Sequence, residues 1–179
     1  MTTASLLLKK FMQRDGLIDE PVIILFSLLF VMILVVALTT VAWLFAAKQH
    51  GIQTMVVAAR QAEAVAVSNP ELALGQGDLN PQVATATFDQ VFQKQIGWPS
   101  GIYQIEAVTV YNQSQAGAPL PVGLSGNIPG PSIYVDAQFK FSIIPFWGQS
   151  SSGLQVTIPV QVLVAPNRFN HPGKTWVGG

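Results

Sequence analysis

From Pro21 to Ala47 the chain runs for 27 residues without an Asp, Glu, Lys or Arg, and 17 of these are Val, Ile, Leu or Phe. No other feature constrains the fold as strongly. A helix needs about 20 apolar residues to cross the hydrocarbon core of a bilayer, so this run spans it with some tilt or protrusion. Each central Leu, Ile, Val or Phe favours insertion by about 0.3–0.6 kcal/mol, and the sum is on the order of 5–10 kcal/mol. Only Ser27, Thr39 and Thr40 interrupt the run with hydroxyls, and each can bond back to a carbonyl of the preceding turn. A cleaved secretory signal fits less well. Its apolar core is about 7–15 residues long and ends in a small-x-small site. The present run is far longer, and its one candidate site, Phe45-Ala46-Ala47, opens on a bulky residue.

The flanks set the orientation. Pro21 suits the first turn of a helix, and Asp19 and Glu20 stand where the helix dipole favours negative charge. Lys9, Lys10 and Arg14 precede the run, whereas Lys48 and Arg60 follow it more dispersed, a bias that places the N-terminus in the cytoplasm. Residues 1–15 read as a short interfacial helix, with Leu7, Leu8, Phe11 and Met12 toward lipid. The expected organisation is a cytoplasmic segment over 1–20, a transmembrane helix over 21–47, an extracytoplasmic domain over 48–166 and a flexible tail over 167–179.

Beyond Lys48 the helical pattern continues. Ile52, Met55, Val56, Ala59, Ala62 and Ala66 recur at three- and four-residue spacing, with Gln53, Arg60, Gln61 and Glu63 on other faces. One helix is expected from Pro21 to Val67, ended by Ser68-Asn69-Pro70, with Gly51 as its weakest point and candidate hinge. A second helix starts at Pro81 behind the cap Asn80 and closes at Gly97, with Val83, Ala84, Phe88, Val91, Phe92 and Ile96 on its apolar face. After Trp98 the period changes to two. Residues 102–111 read as a strand with apolar residues on both faces, and 112–131, rich in Gly and Pro, as an exposed loop. Ile133 to Ile143 and Leu154 to Val164 alternate apolar with polar residues, as in an antiparallel pair covered on one side. Pro159 cannot donate to a ladder and marks an edge or a bulge. The fold class is α+β: a transmembrane helix continuing into a long extracytoplasmic helix, a second helix, then a small three-stranded antiparallel sheet.

A short basic N-terminus, Gly16-Leu17-Ile18-Asp19-Glu20 before an apolar run, the alanine-rich exit Ala58-Ala59-Arg60-Gln61-Ala62-Glu63-Ala64 and the terminal strand block Tyr134–Val164 together resemble the TadE-like pseudopilins of tight-adherence systems, relatives of the type IV pilins. The resemblance implies a pilin-like fold and a structural or assembly role. It also implies cleavage by a prepilin peptidase after Gly16, leaving Leu17 as the new N-terminus, Glu20 fourth and Pro21 fifth, where the family places its glutamate fifth. Asp19 or Glu20 would then neutralise the amine of a neighbouring subunit inside lipid, where an unpaired charge is costly. The implied partners are the lipid bilayer, other pilin-like subunits, secretion-machinery membrane proteins and the peptidase, in an oligomer. Ala37, Ala42, Ala46 and Ala47 offer the small surfaces that helix packing in lipid needs.

Nothing in the chain points to a reaction. The absence of cysteine removes disulfides, thiolate metal sites and thiol catalysis. His50 and His171 have no ligand-spaced partner, and Glu63, Glu71, Asp78, Asp89, Glu106 and Asp136 form no recognisable pair. Ser125 misses a nucleophile elbow by one residue, and no phosphate-binding glycine motif is present. No catalytic residue, cofactor or metal is therefore assigned. Nine basic residues balance nine acidic ones, without the basic stripe of a nucleic-acid binder. Among the aromatics, Trp43 and Phe45 suit the outer interface of the span, Phe88 and Phe92 read as packing residues, and Phe146 and Trp147 as core or edge cover in preference to an exposed adhesive contact. Asn112-Gln113-Ser114 fits a glycosylation sequon. Two function classes remain: a pseudopilin-like assembly subunit, or a bitopic extracytoplasmic module that recognises a ligand or partner through its 112–131 loop.

The low charge extends past the membrane run. The 132 residues after Ala47 carry six basic and six acidic side chains, and their polarity comes largely from neutral groups, 15 glutamines among them. Burial against like subunits disfavours charge in just this way; an outer medium of variable pH would favour the same composition.

Overall fold

The computed structural model describes the backbone of residues 3–66, 77–143, 154–165 and 175–178, with side chains from Pro21 onward. Its elements are α1 (Thr3–Val65), α2 (Pro81–Ile96), β1 (Tyr103–Tyr111), β2 (Ser132–Ile143), β3 (Leu154–Val164) and β4 (Thr175–Gly178). The chain divides into two compact units, Met1–Trp43 and Leu44–Gly179.

The first unit is the N-terminal part of α1. The helix begins well before Pro21, which lies inside it and not at its start. Pro21 has no amide hydrogen for the carbonyl four residues back, at Leu17, so the ladder lacks one bond there. Intramembrane and interfacial helices tolerate such a proline because the freed carbonyl finds other donors.

The second unit is α+β, with four strands where three were expected. The sheet is an antiparallel meander in the order β1-β2-β3-β4. β4, at the end of the segment read as a tail, pairs Thr175–Gly178 with Gln161–Val164. Among the described residues, Pro159 therefore lies in a stretch of β3 that pairs with β2 alone, opposite Gln138, which meets the edge requirement locally. The apolar residues on both faces of β1 have a simple cause. Tyr103 and Ile105 oppose Phe139 and Ala137, the register then shifts between Ile105 and Ala107, and Val108 and Val110 oppose Val135 and Ile133. One extra residue moves the inward set from odd to even positions, which is a β-bulge.

The main core lies between one sheet face and the two helices. Met55, Ala58, Ala59 and Ala62 of α1 and Ala84, Phe88, Phe92 and Ile96 of α2 bury against Ile133, Val135, Ala137 and Phe139 of β2 and Val160, Val162 and Val164 of β3. α2 is bounded as local chemistry requires: Asn80 Oδ1 accepts from the amides of Gln82 (3.1 Å) and Val83 (3.3 Å), and Gly97 closes the helix at φ 64°. Glu63, read as a polar-face residue, is buried; it falls one turn beyond Ala59 on the core-facing row.

Gly51 is not a hinge. α1 is continuous through it, and it is buried where the helix backbone approaches Phe139; a Cβ built there would lie 2.5 Å from the ring atoms Cε2 and Cζ. Glycine is required for close approach, as in other tightly packed helix contacts.

The 112–131 segment is not simply an exposed loop. Leu120 and Ile128 fold over the opposite sheet face and bury with Tyr134 and Leu163, with Tyr111, Leu124 and Trp176 packed around them. Ile128 N donates to Ala118 O (2.8 Å) and Gly117 N to Ile128 O (2.9 Å), closing the segment on itself. Asn112 is committed internally too: its Oδ1 accepts from Leu79 N (2.9 Å), tying the connection before α2 to the end of β1.

This second core makes one pH prediction. Burial, with the charge of Asp136 next in weight, pushes the Tyr134 hydroxyl up from 10.0 to about 12. Its proton stays on in the folded chain at a pH where the unfolded chain has lost it. The stabilisation is complete below pH 10 and fades as pH rises toward 12. Tyr134→Phe should flatten the alkaline fall in stability, read by fluorescence-monitored urea unfolding in detergent across that window.

Candidate membrane span and assembly surface

The large apolar side chains from Val22 to Leu38 are each between 40% and 68% exposed. The part of α1 from Pro21 to Val65 is, by length and composition, long and apolar enough to cross a membrane, and none of its most apolar window is buried within the protein. A soluble monomer rarely leaves a contiguous apolar patch of more than a few hundred Å² open. The hydroxyls in the span are satisfied within the helix. Ser27 Oγ donates to Ile23 O (2.8 Å), Thr39 Oγ1 to Val35 O (2.9 Å) and Thr40 Oγ1 to Val36 O (2.8 Å). Such back-bonding removes the cost of a bare hydroxyl in hydrocarbon.

The four alanines are not equivalent. Ala42 and Ala46 are exposed, one turn apart on one face. Ala37 is exposed but lies about 140° around the helix from Ala42. Ala47 packs against the main core of the second unit, so its small surface serves the intramolecular fit. Gly16, Leu17, Asp19 and Glu20 all lie within the α1 backbone, and their side chains lie outside the described residues.

Just past Ala47, at His50, α1 meets the end of α2. His50 Nε2 lies 3.3 Å from Ile96 O, and its ring centroid is 5.5 Å from that of Trp98. Trp98 in turn meets Phe139 (5.4 Å) and Phe141 (5.6 Å) edge-on. The sequence shows His50 without a ligand-spaced partner and does not reveal its approach to Trp98, because that pairing depends on a helix–helix contact that no local pattern encodes.

The remaining candidates are dispersed. Asp78 Oδ1 accepts from Gln113 N (2.9 Å), and Asp136 meets the Tyr134 hydroxyl at 3.5 Å. Burial pushes the Asp89 carboxyl above its usual range. Among the described residues no three His, Asp or Glu side chains stand together in a way that would hold a metal ion. Glu71, Phe146, Trp147 and His171 lie outside the described residues. In comparison with known proteins, no family model, curated protein or solved structure matches the chain.

Proposed function

We propose that the protein is a membrane-anchored, pseudopilin-like structural subunit of a filament or secretion apparatus related to the tight-adherence and type IV pilus systems. One observation carries the reading: a single 63-residue helix, α1, is uncovered and apolar from Val22 to Leu38 and forms core from Ile52 to Ala62. A helix of this kind anchors a small domain and leaves a lipid-facing surface for like helices. Ala42 and Ala46 are the favoured contact, since small residues let helix backbones approach in lipid. The N-terminus is cytoplasmic, the α+β unit is extracytoplasmic, and no reaction is assigned.

A bitopic recognition module is the second reading. It draws on Val122, which stands 93% exposed in the 112–131 segment. Against it, Leu120, Leu124 and Ile128 of the same segment are committed to packing on the sheet.

Native mass spectrometry of the full chain extracted in mild detergent tests the proposal. Complexes of two or more copies, or with other single-span proteins, are expected; a strictly monomeric species would count against assembly. The intact mass tests the processing step separately, since cleavage after Gly16 removes residues 1–16.

A further inference from the structure

Opposite flanks of the α+β unit carry opposite charge. The strand order puts β1 and β4 at the two edges of the sheet, three strand spacings or about 14 Å apart. On the β4 flank, Arg60 is exposed and its Nη2 lies 3.5 Å from Thr175 Oγ1. The other charges of α1 beyond Leu44 are drawn in, Lys48 half-buried and Glu63 buried. Two carboxylates stand on the β1 flank. Glu106 is exposed at the bulge, where the shift in register leaves no residue of β2 opposite it. Asp89 is exposed on α2, about 60° around the helix from Phe92, whose ring meets that of Tyr103 in β1 at 5.2 Å. Lys94 lies about 140° around from Asp89 and belongs to another face of α2.

The two flanks are close to level along the strands. Thr175 pairs with Val164 and Val164 with Ile133, whereas Glu106 lies between Ile105 and Ala107, the partners of Ala137 and Asp136. Three residues of strand, about 10 Å, separate the two heights. A copy displaced sideways therefore needs only a small shift along the strands to bring Arg60 against the carboxylates.

We infer that the β4 flank of one copy docks on the β1 flank of a second copy, with Arg60 facing Asp89 and Glu106. The inference rests on reading the chain as an assembly subunit, and it names the partner and the faces that meet. A second copy fits because the chain itself supplies both charges and is neutral in sum, nine basic residues against nine acidic. A two-fold contact would set each flank against itself, Arg60 against Arg60. The charges select a heterologous contact instead, which repeats from copy to copy. Sideways displacement also keeps every α1 pointing the same way, as a shared bilayer requires. A bulge and a charge on an edge strand oppose direct strand addition, so side chains make the contact. Exposed ion pairs add little affinity; here they fix the partner and the register.

The chain has no cysteine, so two can be placed beside the flanks with all three charges kept: Thr175→Cys on β4 and Ala107→Cys on β1, both at exposed positions. The full chain carrying both is expressed, and its membranes are treated with a short bis-maleimide. A ladder of dimers, trimers and larger products is expected. Either cysteine alone should leave monomer, and the two single variants expressed together should stop at dimer. Dimer from either single variant alone overturns the inference, since it reports a flank meeting itself. No ladder, while native mass spectrometry shows complexes of several copies, overturns it and leaves assembly standing; monomer in both measurements overturns both readings. Charge exchange gives a second test. Arg60→Glu in the double-cysteine chain should lower the share of larger products about five-fold, and adding Asp89→Arg with Glu106→Arg should restore it. An unchanged ladder in Arg60→Glu overturns the inference.

Discussion

Replacing Phe139 with alanine is expected to destabilise the α+β unit by about 3–5 kcal/mol, the usual cost of emptying a buried phenylalanine site. Phe139 is fully buried and joins three elements. Its ring fills the space left by Gly51 of α1, meets Trp98 in a T-shaped contact at 5.4 Å and neighbours Phe141 at 6.4 Å. The site has little freedom to collapse, because a glycine and an aromatic ring already wall it. Gly51→Ala is the complementary test, and its sign separates packing from propensity. Alanine in a helix interior is favoured over glycine by about 1 kcal/mol, so a solvent-facing or hinge glycine would gain stability. Here the new methyl meets the Phe139 ring at 2.5 Å, and overpacking of about 1–3 kcal/mol should prevail. Combined with Phe139→Leu, the Gly51→Ala cost should shrink, since residues in contact are not additive. Urea unfolding in detergent, followed by near-ultraviolet circular dichroism, measures all of these variants.

The double substitution Ala42→Leu with Ala46→Leu is expected to abolish or strongly weaken assembly while leaving insertion and folding unchanged. Both residues are exposed on one helical face. Leucine is at least as favourable in hydrocarbon as alanine, so the span is not compromised. What changes is the distance of closest helix approach, on which association in lipid depends. The same change at Ala47 would have a different meaning. Ala47 packs on the intramolecular core, so Ala47→Leu should lower domain stability first. Comparing oligomer distribution with unfolding midpoint for the two variants distinguishes an assembly face from a core position.

The parts of this fold that sequence reveals are those whose cause is local. The long apolar stretch of α1, the caps of α2 at Asn80 and Gly97, and the alternation of β2 and β3 each depend on neighbouring residues. What escaped depends on distant partners. β1 shows its apolar residues on both faces because of a bulge after Ile105, which is visible only once β2 is laid beside it. β4 has four residues and ends in glycine, too little for a periodicity, and is recognised by its pairing with β3. Gly and Pro made 112–131 read as an exposed loop, while Leu120 and Ile128 carry its burial. Gly51 read as a weak point because helix propensity is local, whereas its role is set by Phe139. The proposed assembly surface is legible as small residues but not as a face: the exposure of Ala42 and Ala46 and the partial burial of Ala47 follow from where the core begins.

The central proposal is that α1 crosses a bilayer, with the N-terminus cytoplasmic and the α+β unit extracytoplasmic. The chain has no cysteine, so single cysteines report topology without background. Val122→Cys, at a position 93% exposed, and Thr3→Cys, at the start of α1, are each expressed in the full chain and treated with a membrane-impermeant maleimide. Labelling of Val122→Cys on intact cells, with Thr3→Cys labelled only after lysis, is the predicted result. Labelling of Thr3→Cys on intact cells, or protection of Val122→Cys until lysis, would contradict it.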